Sequence, residues 1–76
     1  MDWELYYSDL EASAAMIQAE ATENRKQLEA DAKLIATFHT ETYDEAIRLM
    51  ENFLDASGGY LDRRRRTVVW SKGIAP

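Results

Sequence analysis

The chain has 76 residues, 46% hydrophobic and 30% charged, with a formal net charge of −5 and no cysteine. That composition excludes disordered and fibrous classes and allows one small domain. It also excludes disulfides and thiolate metal sites, which suits a reducing cytosol. No apolar run approaches the roughly 20 residues needed to cross a bilayer. The N-terminal "MDWELYY" lacks the features of a signal peptide, so the expected location is the cytoplasm.

In chain order, "WELYY" alternates apolar and polar side chains and predicts a strand. Ser8-Asp9-Leu10-Glu11 then fits a capping box, in which a Ser or Thr hydroxyl accepts from the amide three residues on. Leu10, Ala14, Ile17, Ala21 and Leu28 follow at helical spacing, which predicts a thin, alanine-rich helix ending near Ala30. A second strand is expected over "KLIATFHT", residues 33–40. Thr42 to Glu45 repeats the capping box. A broad apolar face follows at Tyr43, Ala46, Ile47, Met50, Phe53 and Leu54, and Ser57-Gly58-Gly59 ends that helix. "RTVVWSK", residues 66–72, is β-branched and aromatic and predicts a third strand.

The expected fold is a small two-layer α/β (α+β) domain over residues 1–72, ordered β-α-β-α-β, with a frayed tail at 73–76. Two helices would cover one face of a three-stranded sheet. The other face, with Glu4, Tyr6, Ile35, Thr37, His39 and Val69, would stay open to a partner or to a second copy in a homodimer. An alternative is one long helix over residues 2–30, because Trp3, Tyr7, Leu10, Ala14, Ile17, Ala21, Asn24 and Leu28 also fit a heptad stripe. Ser8 is poorly suited to the middle of that helix.

No catalytic constellation stands out, and no cofactor is expected. A nucleophile needs a base in reach, yet the chain has one histidine, His39, at a strand end where a solvent-facing side chain is the ordinary outcome. Metal-binding and phosphate-binding motifs are missing, and Asp44 and Glu45 already suit the positive end of a helix.

The charge is unevenly placed. Residues 1–62 hold all 14 acidic side chains, while residues 63–76 hold only basic ones: Arg63, Arg64, Arg65, Arg66 and Lys72. Three roles are open to the arginines. They could pair with the acidic helices, grip carboxylates of a protein partner, or hold nucleic-acid phosphates with Trp70 or Tyr60 stacking nearby. On a regular strand the four would alternate in direction; in a loop they could converge. The acidic Glu41, Asp44, Glu45 and Glu51 offer a second surface, toward a groove that normally holds nucleic acid.

The segment "KLIATFHTETYDEAIRLMENFL", residues 33–54, resembles small uncharacterised proteins of phages and other mobile elements, in which a strand runs into an E-T/S-Y/W-x-E-A helix start. Size and acidity also resemble phage-encoded inhibitors of bacterial defence, including anti-CRISPR proteins. The resemblance implies a non-enzymatic protein that binds and blocks a host complex, such as one that handles nucleic acid. The expected partner-binding residues are Arg63–Arg66, Trp70, Tyr6, Ile35, Glu41, Asp44, Glu45 and Glu51. The alternative functions are a nucleic-acid-binding accessory protein using the arginines and a self-assembling structural protein.

Overall fold

The first alternating stretch is a strand. A computed structural model, which describes residues 1–73, places Asp2–Ser8 in β1. Trp3, Leu5 and Tyr7 are buried, while Glu4 and Tyr6 on the opposite face are half-buried. That is the two-residue period of a pleated strand. The alternative long helix over residues 2–30 does not form.

At Ser8 the chain departs from the expected course. The Ser8 hydroxyl does accept from the Glu11 amide, at 3.2 Å, but the bond closes a turn rather than opening a helix. Ala12 takes a φ of 51°, and the chain returns antiparallel to β1 as β2, Ser13–Gln18. Only one helical turn of the expected helix is present, α1 at Thr22–Arg25. The reason lies in the thin alanine stripe. A helix there would bury little apolar area. As a strand, the same residues place Ala14 and Met16 opposite Tyr7 and Leu5 on the core face, and put Ile17 on the other.

Lys33–His39 forms β3 on the other side of β1, giving an antiparallel sheet ordered β2-β1-β3. The register shifts between Leu5 and Tyr6, leaving Ile35 as the extra residue of a bulge. Leu34 therefore shares a face with Tyr6, and Ile35 packs against the core instead of the outer face expected for it.

The second helix, α2, spans Tyr43–Ala56 and starts as predicted, with the Thr42 hydroxyl accepting from the Glu45 amide at 3.2 Å. Ala46, Met50 and Leu54, four residues apart, form its buried stripe. Gly58, with a φ of +83°, ends the helix where the sequence predicts. The remaining strands, β4 at Gly59–Asp62 and β5 at Thr67–Trp70, make a separate two-stranded hairpin. Leu5, Tyr7, Met50, Leu54, Val68 and Trp70 form one core between sheet, helix and hairpin.

The fold class is thus the predicted small α+β domain, with a three-stranded sheet and two helices. Inside it, β2 rather than residues 66–72 supplies the third strand of the sheet, and the helices do not share a face. α2 lies on the core side, while residues 19–32 with α1 cross the Glu4–Tyr6 side. Arg25 is fastened there to Glu4 at 2.6 Å and Asp31 to the Ser8 hydroxyl at 2.6 Å. The outer face is therefore covered over much of β1 and β2, and Ile17 is buried there. Only the β3 side, with Leu34, Thr37 and His39, remains exposed. No helix among the described residues is long and apolar enough to cross a membrane. Gly73 donates its amide to the Trp70 carbonyl, and the rest of the predicted frayed tail, residues 74–76, lies outside the described residues.

Candidate partner-binding site

The β4–β5 hairpin is built on Trp70. Its indole packs edge-on against Tyr7, with ring centroids 5.4 Å apart, and lies against the backbone of Gly59, where any Cβ would collide with the ring. Glycine is required at that close approach. The strands pair Gly59 with Trp70, Tyr60 with Val69, Leu61 with Val68 and Asp62 with Thr67. Leu61 and Val68 share the inward face, while Tyr60 and Val69 sit together on the outward one.

Between Asp62 and Thr67 the four arginines form the tip. The Asp62 carboxylate accepts from the amides of Arg64, at 3.0 Å, and Arg65, at 3.3 Å, which fastens the turn to its own backbone. Arg66 then takes a φ of 57° to lead into β5. The arginines thus occupy a loop, not a regular strand, and all four are exposed. Arg63 pairs with Glu51 at 3.0 Å on the neighbouring turn of α2. Among the described residues, Arg64, Arg65 and Arg66 have no ion-pair partner. Like charges held in one loop repel, and a complementary anionic surface relieves that repulsion.

The other predicted site residues divide into three places. Glu51 is joined to the tip through Arg63. Glu41, Asp44 and Glu45 are exposed around the first turn of α2, with Glu45 about 9 Å further back along the helix axis than Glu51. Tyr6 and Ile35 do not belong to any open face. The Tyr6 hydroxyl donates to Glu4 at 3.1 Å, beneath residues 19–32, and Ile35 is in the bulge against the core. Trp70 also lies elsewhere than the sequence reading expects. At 8% exposed it supports the hairpin from below and cannot stack on a base, whereas Tyr60, at 61%, is available. A homodimer through an open sheet face loses most of that face to residues 19–32.

His39 is exposed, with its ring Nδ1 2.6 Å from the Asp2 carboxylate. The hydrogen bond from His39 holds the Asp2 carboxyl below its ordinary range. This pair ties the start of β1 to the end of β3. Among the described residues, no three His, Cys, Asp or Glu side chains stand close enough to hold a metal ion.

A feature not legible in the sequence lies between the β1–β2 turn and the hairpin. Tyr7 and Trp70, with Val69, line a groove of about 770 Å³ that also meets Lys33, Arg65 and Asp9. The Val68 amide donates to the Ala12 carbonyl at 2.6 Å and links the two turns. Lys33 and Arg65 are far apart in the chain, so no local motif could signal their approach to one groove.

No family model matches this chain, and no curated protein or solved structure is similar to it at a significant level.

Proposed function

We propose that this protein is a binding module, without turnover chemistry of its own, that docks on a protein partner through the arginine tip of the β4–β5 hairpin. The observation that carries this reading is the state of Arg64, Arg65 and Arg66, which are exposed and, among the described residues, have no ion-pair partner, on a hairpin anchored by Trp70. Arginine is a favoured interface anchor because its planar fork meets carboxylates in two parallel hydrogen bonds. The exposed acidic residues around the first turn of α2, Glu41, Asp44 and Glu45, supply opposite charge at a distance from the tip and help set the orientation of docking. The resemblance of residues 33–54 to phage and mobile-element proteins supports a finer version. In it the module is an inhibitor that occupies a surface on a bacterial nucleic-acid-handling complex, in the manner of anti-CRISPR proteins.

A protein partner is favoured over nucleic acid by what surrounds the tip. Glu51, Asp55 and Asp62 stand beside the hairpin and repel a phosphate backbone, and the burial of Trp70 leaves Tyr60 as the hairpin's exposed aromatic ring. The test is tagged capture from bacterial lysate, with and without nuclease, using the wild type and a triple variant, Arg64→Ala, Arg65→Ala and Arg66→Ala. A defined protein complex should be retained after nuclease at moderate salt and be lost with the triple variant. Recovery of nucleic acid alone, with the steep salt dependence of phosphate contacts, would assign the arginines to the accessory-protein alternative. Retention that ignores the substitutions would remove the hairpin tip from the interface.

A further inference from the structure

The groove between the two turns has the chemistry of a receptor for one kind of chain. Its apolar surface comes mainly from the exposed Val69, with narrow edges of the buried Tyr7 and Trp70 rings. Two cations meet the groove, Lys33 and Arg65. Among the described residues Arg65 has no ion-pair partner, and Lys33 has only a long, exposed contact with Asp9 at 3.5 Å. An extended peptide places alternate side chains on opposite sides, so acidic residues at every second position could meet the cations while those between them lie on the apolar surface.

We propose that this groove seats an extended segment of the protein partner in which acidic and apolar residues alternate, with carboxylates on Lys33 and Arg65 and apolar side chains on Val69 and the narrow exposed edges of Tyr7 and Trp70. The inference rests on the reading of the domain as a protein-binding module, and it moves the specific contacts from the whole arginine tip to one of its four members plus Lys33. Arg64 and Arg66 then contribute long-range attraction rather than direct grip. Asp9 competes with the incoming carboxylates for Lys33, so it weakens binding.

The test uses the intact protein and a fluorescein-labelled octapeptide of alternating Glu and Val, with the matching Gln–Val peptide as control, followed by fluorescence polarisation at low salt. The Glu peptide should bind more tightly than the Gln peptide. Arg65→Ala or Lys33→Ala should each weaken it by about two- to fivefold, and Arg64→Ala by less than about twofold. Asp9→Asn should strengthen binding by roughly two- to fivefold, a gain that lost folding cannot produce. All four side chains are exposed, and circular dichroism of each variant checks that the fold is kept. Equal affinity for the two peptides, or Arg64→Ala matching Arg65→Ala, would overturn the groove assignment. If that happens while capture of the partner still depends on the arginines, the groove is wrong and the docking role of the hairpin stands. Glu-peptide binding with partner capture indifferent to the arginines would be the converse.

Discussion

The two hairpin turns of this domain share one backbone solution and put it to different uses. Both have four residues between paired strand ends, Ser8 with Ser13 and Asp62 with Thr67. In both, the side chain at the start accepts from a loop amide, and the fourth loop residue has a positive φ, 51° at Ala12 and 57° at Arg66. They differ in what holds them from outside. Asp31 reaches the first turn from the covering segment and accepts from both the Ser8 hydroxyl, at 2.6 Å, and the Leu10 amide, at 3.0 Å. The arginine turn has one exposed side-chain contact to α2, Arg63 with Glu51. The first turn is tied into the fold. The second, braced by Asp62 and seated on Trp70, leaves three of its four arginine side chains without an ion-pair partner among the described residues.

The most severe way to break this comparison is at that base. Gly59→Ala places a methyl group into the indole of Trp70, and the ring must shift from its seat against Tyr7 to admit it. Overpacking of this kind costs about 1–3 kcal/mol. Urea unfolding followed by circular dichroism should show the loss, and fluorescence should report a changed tryptophan environment. No change in the urea midpoint would mean that the hairpin is not seated on Trp70 as described.

A smaller effect is expected at the first turn. Ser8 is 2% exposed and both donates to Asp31 and accepts from Glu11, so Ser8→Ala should cost about 1 kcal/mol. Acid should act on the same turn. The Ser8 hydroxyl, and after it the Leu10 amide, hold the Asp31 carboxyl below its ordinary range. Its folded value therefore lies below the unfolded one, and the stabilisation is complete above the ordinary aspartate value of about 3.9. It fades as pH falls through the lower folded value. Hydrogen-exchange protection of the Leu10 and Glu11 amides, corrected for intrinsic rates, should drop on acidification below about pH 4, and less so in Ser8→Ala. Protection that ignores both acid and the substitution would show that Asp31 does not clamp the turn.

Ser8 also explains how far the fold was legible in the sequence. Its hydroxyl and the Glu11 amide make the bond that the capping-box pattern predicts, as Thr42 and Glu45 do. The pattern specifies a local hydrogen bond, and the element that grows from it depends on the apolar surface available. After Thr42, Ala46, Met50 and Leu54 with Ile47 and Phe53 provide a helix with a wide buried face, and α2 forms as expected. After Ser8, the alanines provide almost none, and the cross-strand ladder with β1 prevails. Ile35 and Trp70 depart from expectation for a related reason. A bulge reverses the facing of a strand residue, and a hairpin that folds back on the core buries one face, and local alternation reveals neither. The arginine tip was visible as a charge run, and its loop placement was one of two geometries open to it. Lys33, Asp9 and Arg65 meet only through tertiary packing.

The finest comparison concerns the two positive-φ residues. Left-handed backbone costs a non-glycine residue roughly 1–2 kcal/mol, while glycine loses more entropy on folding and returns part of that gain. Ala12→Gly and Arg66→Gly should therefore each stabilise the domain by about 0.5–1 kcal/mol, read from the urea midpoint. Positive φ at Arg66 is not by itself a sign of function, because Ala12 adopts the same geometry without a charge to present. The two substitutions part at the partner. Ala12→Gly keeps every charge and should leave capture of the complex unchanged. Arg66→Gly removes one exposed cation from the tip and should slow association, most visibly at low salt where electrostatic attraction reaches furthest. Equal binding by the two glycine variants would assign Arg66 to the backbone of the turn alone and leave the docking charge to Arg64 and Arg65.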